Sequence, residues 1–326
     1  MKQMNPKKKT LIQWSIIGTA FFLLYVAFLV FGENKFLSNF LVYICMFVIA
    51  GQGWNLLGGY IGEISFGHAV FFGIGAYTVG LPVGYKLEIP LYLLVVGGAF
   101  VAALFALIIS YPLLRVQGFP FLIGTFGLGV VFISVFVATP ELFATRGIFI
   151  KSVDTTVLYS LIVLITIIIA VAIQWFVHSD SGLRLRAVRD VPVAAQMVGI
   201  NIYRTKAAAL VIGAFITGLA GGLYALYSSF VNPEAAFSTS TSTSILLGSY
   251  IGGVGTVLGP VVGGFVVILI QEISRSVIQV RGGHHLVLGL LLICIMMTSK
   301  EGLYPGLKRF FRYLQKKRTN TGKKSV

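Results

Sequence analysis

Apolar residues in this chain come in long, almost uncharged blocks. The runs at 11–31, 36–57, 89–114, 119–138, 157–177 and 206–227 each approach or exceed the roughly 20 residues a helix needs to cross about 30 Å of hydrocarbon. Shorter or glycine-broken runs follow at 64–83, 245–270 and 285–297. The pattern predicts an all-α integral membrane protein, a polytopic bundle of about 9–10 spans forming one membrane domain. Composition agrees: 57% of residues are hydrophobic and 11% charged, too little polar surface to cover a water-soluble globule. The first run follows a basic start, but it is too long for the core of a secretory signal and has no small-residue cleavage site after it. It is expected to stay as a helix.

Charge adds the topology. Of the 25 Lys and Arg, 18 lie in residues 1–10, 178–206 and 300–326. Basic segments near span ends stay in the cytoplasm, so all three are expected on that side of the cell membrane. The division is a basic cytoplasmic N-terminus (1–10), a transmembrane domain (11–299) holding a cytoplasmic loop at 178–206, and a basic cytoplasmic tail (300–326). No aromatics interleave with these cations as a single-strand binder needs, so the net charge of +15 does not point to nucleic acid. The tail is expected on anionic lipid, with Phe310, Phe311 and Tyr313 dipping toward the headgroups.

Parity then constrains the last third. If 245–270 and 285–297 each crossed once, the basic tail would end outside. The glycine-rich piece LGSYIGGVGTVLGPVVGG is therefore expected to form a broken or re-entrant pair that returns to its starting face. Small residues recur every four positions at Gly248, Gly252 and Thr256, and again at Gly255, Gly259 and Gly263. Such spacing lets helix backbones approach closely; a pathway-lining role is the alternative for Gly252, Gly255 and Gly259.

Polar residues inside spans are the other candidates, since an ionisable group in lipid needs a partner or water. Gln52, Asn55, Glu63, Ser65 and His68 fall within 17 residues. His68 has no second His or Cys at ligand spacing, which rejects a metal site; it is expected to bond a backbone carbonyl that fixes a broken helix, with pathway contact as the alternative. Glu63 is expected at a span end in the headgroup layer. The run FSTSTSTSI reads as an external loop ending in a helix cap at Thr243 or Ser244, or as a hydroxyl-lined vestibule for a polar solute. Cys45 and Cys294 lie in apolar runs and read as small hydrophobes. Phosphate-loop, zinc-protease and serine-hydrolase motifs are missing, and Gly253-Val254-Gly255 is only part of a dinucleotide fingerprint. No catalytic residue or cofactor is assigned to this chain; any ATP hydrolysis belongs to a partner.

The charged stretch SGLRLRAVRDVPVAAQMVGINIYRTK carries Arg184, Arg186, Arg189, Arg204 and Lys206 between two spans. Asp190 suits a helix cap, Pro192 a first turn and Gly199 a helix end, with Val193, Ala194, Met197 and Val198 forming an apolar face. One short amphipathic helix of about eight residues is expected, offered to a groove on another protein. In an ATP-driven importer that groove belongs to the ATPase; the plainer reading is a loop lying on anionic lipid.

Three segments carry a resemblance: GWNLLGGYIGEISFGHAVFFGIGAYT, the charged stretch continued through KAAALVIGAFITGLAGGLYA, and GGVGTVLGPVVGG. They resemble the membrane subunits of branched-chain amino acid ABC importers over about residues 36–300, and the pattern from Gly62 to Tyr77 resembles the M-type subunit. The resemblance implies a permease paired with a sister permease, as heterodimer or homodimer, two cytoplasmic ATP-binding subunits and an extracytoplasmic solute-binding protein. It places residues 189–200 on the ATPase-contacting loop. The family often carries acidic residues where this chain has Val191 and Pro192, and often Glu where Ser244 stands. Branched-chain amino acids are the expected solute, with urea, short amides or nucleosides as alternatives carried by related permeases. A secondary transporter or channel is a different class; it would need paired intramembrane carboxylates, and Glu63 and Glu272 both lie near span ends. Single cysteines replacing Asn5, Ala187 or Asn320, in a background lacking Cys45 and Cys294, should react with an impermeant thiol reagent only after the membrane is permeabilised. Labelling at 320 in intact cells would contradict the parity argument.

Overall fold

The computed structural model describes residues 35–139, 147–150, 154–277 and 302–306, together with helical positions 287, 289, 290, 293 and 297. The expected span at 11–31, the basic N-terminus, most of 285–297 and the tail beyond 306 lie outside the described residues.

Helix α1 (Lys35–Asn55) continues into a π-helical turn, Leu56–Ile61. Then come α2 (His68–Gly84), α3 (Leu91–Leu113), α4 (Phe119–Ala138), β1 (Ile148–Phe149) and α5 (Thr155–His178). After α6 (Asp180–Asp190) and α7 (Pro192–Met197), α8 (Ile202–Ser228) leads to β2 (Phe230–Val231), α9 (Pro233–Phe237), α10 (Thr239–Gly252) and α11 (Leu258–Val277). Five stretches, Phe36–Ile61, Leu91–Leu113, Phe119–Ala138, Thr156–His178 and Ile202–Ser228, are long and apolar enough to cross a membrane; His68–Gly84 and Leu258–Ser274 are shorter apolar helices. The strands pair antiparallel, Ile148 with Val231 and Phe149 with Phe230.

Local chemistry sets the ends. Asp154 accepts a bond from Thr156 N (3.1 Å) at the start of α5, and Asn201 from Arg204 N (2.9 Å) at the start of α8; both satisfy amides the first turn leaves open. The hydroxyl run does not end an external loop as expected. Ser238 caps α10 by accepting from Thr241 N (3.1 Å), so residues 239–245 lie inside the helix and the expected cap at Thr243 or Ser244 is not made.

The molecule has two ends. At one, Asn39 Oδ1 near the start of α1 accepts from Tyr159 near the start of α5 (3.0 Å) and from Tyr227 at the end of α8 (2.6 Å). At the other, Arg189 of α6 donates to the Gly59 carbonyl (2.6 Å). Thus α1 and α5 run one way and α8 the other. Helix α8 is central because its glycines admit neighbouring backbone. A Cβ at Gly213 would lie 2.5 Å from the Gly53 carbonyl, and one at Gly221 would lie 1.9 Å from that of Phe72. Large apolar side chains on α3, α4 and α5, among them Phe100, Ile108, Val131, Ile168 and Trp175, point outward, where only lipid or another apolar surface accommodates them.

The glycine-rich segment forms a returning pair, as expected. Helices α10 and α11 pack antiparallel with Gly248 against Gly263 and Gly252 against Gly259; Cβ atoms at Gly263 and Gly252 would stand 1.6 and 1.8 Å from facing carbonyl oxygens. Gly255 does not share this packing, contrary to its place in the four-residue register. It sits in the turn between the helices at φ 71°, a left-handed conformation that favours glycine. Gly302 returns to this turn, packed against Gly253.

An ion pair binds the Arg189 end. Lys206 Nζ of α8 meets Glu63 Oε1 at 2.6 Å with both side chains buried, and Glu63 Oε2 accepts from Gly118 N (3.2 Å) just before α4. Glu63 is therefore buried and paired beside the ends of α4 and α8, and Lys206 is no surface cation. The pair joins the break after α1 to α8 and to the α3–α4 connection. Removing one partner strands a buried charge, so Lys206→Ala is expected to cost about 3–5 kcal/mol, whereas Glu63→Gln with Lys206→Met recovers part of it; thermal unfolding in detergent measures both. Gly263→Ala should lower the midpoint through about 1–3 kcal/mol of overpacking. Gly97→Ala, whose methyl would meet nothing within 4 Å, should not.

Candidate functional site

The charged loop folds into two helices, where one was expected. The residue before a proline is kept out of the helical region, and Val191 is accordingly extended, at φ −145° and ψ 87°, between α6 and α7. Pro192 does open α7, but Asp190 ends α6 and caps nothing; the residue at the cap position is Val191. Gly199, at φ 83°, turns the chain toward α8, with Ile200 N bonded to the Ala195 carbonyl (3.0 Å). Leu185, Val188 and Ala195 face inward, while Val193, Met197 and Val198 are 69%, 85% and 76% exposed and Ala194 is exposed beside them. The expected apolar face exists and is uncovered.

Arg189 links this loop to the membrane helices. The carbonyl it binds, Gly59 O, belongs to the π-helical turn, whose wider winding leaves the usual i to i+4 ladder. Immediately before that turn, Asn55 accepts from Gly255 N (2.8 Å) and donates to Thr256 O (2.9 Å), and Gln52 donates to Val257 O (2.6 Å). Two of the polar residues read from the sequence therefore hold the backbone of the hairpin turn. Buried irregular backbone needs such partners, since hydrocarbon offers none. Gly59 has no room for a side chain: a Cβ would lie 1.9 Å from Asn55 Oδ1 and 2.5 Å from Gly255 N.

A second polar cluster surrounds the break between the π-helical turn and α2. Ser65 Oγ accepts from Gly67 N (3.2 Å) and lies 3.2 Å from His68 Nδ1; Trp54 Nε1 donates to Ser65 O (2.8 Å). Phe66 N donates to Thr125 Oγ1 (3.1 Å) and Ala69 N to Ser242 Oγ (2.8 Å). His68 thus meets a hydroxyl rather than the expected carbonyl, and its buried ring packs edge-on against Trp54 and Phe71. Sequence reasoning missed Thr125 and Ser242; each is one hydroxyl in an apolar or hydroxyl-rich helix, and only the packing of α4 and α10 against the break singles it out. Ser244 accepts from Gln271 Nε2 (2.9 Å) across the hairpin, and Ser249 Oγ donates to Gly51 O (3.0 Å).

At the Asn39 end a cavity of about 360 Å³ opens between α1, α2, α8, α9, α10 and α11, lined by Tyr43, Phe72 and Tyr224 with Thr241, Gln271 and Glu272 among its polar groups. An apolar pocket with a few convergent polar groups is the usual form of a small-molecule site. Thr241 reaches it from the hydroxyl run, so part of that run does line an opening.

Residues 36–296 match the family described as the branched-chain amino acid transport system permease component. The chain is 25% identical over 298 residues to the high-affinity branched-chain amino acid transport system permease protein LivM of Salmonella typhimurium, covering 80% of this chain and 68% of that protein. It is 24% identical over 281 residues to the LivH permease protein of Escherichia coli K12, covering 79% and 90%. A shorter likeness, 40% over 65 residues, covers 18% of this chain and 20% of the guanosine ABC transporter permease protein NupQ of Bacillus subtilis. No solved structure matches. The family match spans most of the chain, including the charged loop, the π-helical turn and the hairpin, and the chain belongs to the permease components of branched-chain amino acid transport systems.

Proposed function

We propose that this permease component works in an ATP-driven importer, with the Arg189 end cytoplasmic and α7 docked on an ATP-binding subunit. The observation that carries this is the uncovered face of Val193, Met197 and Val198 on a short helix beside Arg184, Arg186, Arg189 and Arg204. A lipid-lying loop would account for the cations; it would not require a proline-started, glycine-ended helix with its apolar side turned away from the bundle. Motion of α7 passes to α6, and from Arg189 to the π-helical turn and the hairpin turn that Asn55 and Gln52 hold. Gly252 and Gly259 let the two hairpin helices slide in contact, and Ser65 and His68 keep the broken entry to α2 in place.

The cavity at the Asn39 end then faces outside, where a solute-binding protein would deliver its cargo. Its aromatic walls suit a branched apolar side chain and its amide, hydroxyl and carboxylate groups suit the polar end of an amino acid, in line with the names of the LivM and LivH relatives. The NupQ likeness supports a nucleoside as the second reading. A sister permease, in a heterodimer or homodimer, would cover part of the outward apolar surface; lipid would cover the rest.

Ala194→Asp or Met197→Asp places a charge on the docking face, and an unpaired carboxylate in an apolar groove costs a few kcal/mol of association. Pull-down of the ATP-binding subunit should fall at least tenfold for both variants while Arg184→Glu retains it. Full retention by both face variants, with normal uptake, would leave α7 as a lipid-facing element.

A further inference from the structure

A small polar cavity of about 160 Å³ lies at the Arg189 end, apart from the docking face. It is walled by Arg186 of α6, Tyr60 of the π-helical turn, His178 at the end of α5, Tyr304, and the hairpin turn at residues 255–258. No carboxylate lines it. Among the described residues the one ion pair is Lys206–Glu63, so the charge of Arg186 is not neutralised there. Its guanidinium is nonetheless held in place: Nη2 donates to Val177 O (2.6 Å) and Nε to Gly182 O (3.3 Å). Those bonds use two of five donor hydrogens and carry no negative charge, so the group keeps both its charge and spare donors.

Tyr60 is the second observation. It is 2% exposed and lines the cavity. Helix α11 also begins at the cavity wall, at Leu258, and its first-turn amides add positive potential. A fixed cation, the tyrosine side chain of Tyr60 and a helix start converge on a space with room for several waters or one small oxyanion. The cavity lies among helix ends: His178 closes α5 and Leu258 opens α11.

We propose that this cavity binds a phosphate-class oxyanion, held by Arg186 and Tyr60, that ties α6 to the π-helical turn and the hairpin turn. The oxyanion is free phosphate or the phosphate of an anionic lipid headgroup, and the same chemistry serves both.

The test uses the full-length protein in nanodiscs of neutral phosphatidylcholine, with thermal unfolding followed in inorganic phosphate and in chloride of equal ionic strength. A ligand of the native state raises the midpoint in proportion to its occupancy. Phosphate should raise it saturably in the wild type. Tyr60→Phe, which removes one oxygen, should weaken the apparent affinity roughly tenfold. Arg186→Gln should abolish the shift, and Arg184→Gln, exposed on the same helix and outside the cavity, should keep it. Should Arg186→Gln fail to fold, Tyr60→Phe decides. In phosphatidylglycerol nanodiscs the phosphate shift disappears if the headgroup occupies the site and persists if free phosphate does. A wild type with no phosphate-specific shift, or a shift left intact in Tyr60→Phe and lost in Arg184→Gln, would overturn the assignment.

Discussion

Backbone amides and carbonyls in hydrocarbon have no water to turn to, and each one left unbonded costs several kcal/mol. This chain breaks its helices inside the bundle at two places, residues 62–67 and 253–257, and the rest of the architecture answers that cost. At the first break, hydroxyls of Ser65, Thr125 and Ser242 take the loose amides. At the second, Asn55 and Gln52 bind the turn through its amide and carbonyls. Since Asn55 leads into the π-helical turn that precedes the first break, the two breaks are parts of one bonded unit.

Two further constraints place that unit. Glycines on α8 and along the hairpin bring backbones into contact, which leaves little freedom for the helices to settle elsewhere. The buried Lys206–Glu63 pair ties the first break to the start of α8 and, through Gly118, to α4. Arg189 adds a single bond from the loop outside the bundle to the carbonyl of Gly59 inside it. Any displacement of α6 therefore acts on a segment where the regular helix ladder is already interrupted.

Much of this was legible in the sequence. Uncharged runs marked the five helices long enough to cross a membrane, the charged stretch 178–206 lies together at the Arg189 end, and 245–270 was expected to return. The glycine registers were expected to bring helix backbones together, and the structure pairs Gly252 with Gly259 and Gly248 with Gly263. What escaped were pairings between distant positions. Glu63 and Lys206 are 143 residues apart, and Thr125 and Ser242 act on amides of another helix; a single sequence does not say which spans adjoin. The loop was read as one capped helix because Asp190 and Pro192 suit a start, yet the clash of proline with its preceding residue placed an extended Val191 between two helices. Gly255 fitted the packing register by spacing alone, and its turn conformation removed it.

The central claim is that Arg189 carries motion from the proposed docking helix to the hairpin turn through Gly59. The most direct measurement is the number of solute molecules imported per ATP hydrolysed in proteoliposomes holding the whole importer, for wild type and Arg189→Ala. The account predicts that the variant still binds and stimulates the ATP-binding subunits while uptake per ATP falls at least tenfold. An unchanged ratio would contradict it, because the bond to Gly59 would then play no part in transmission.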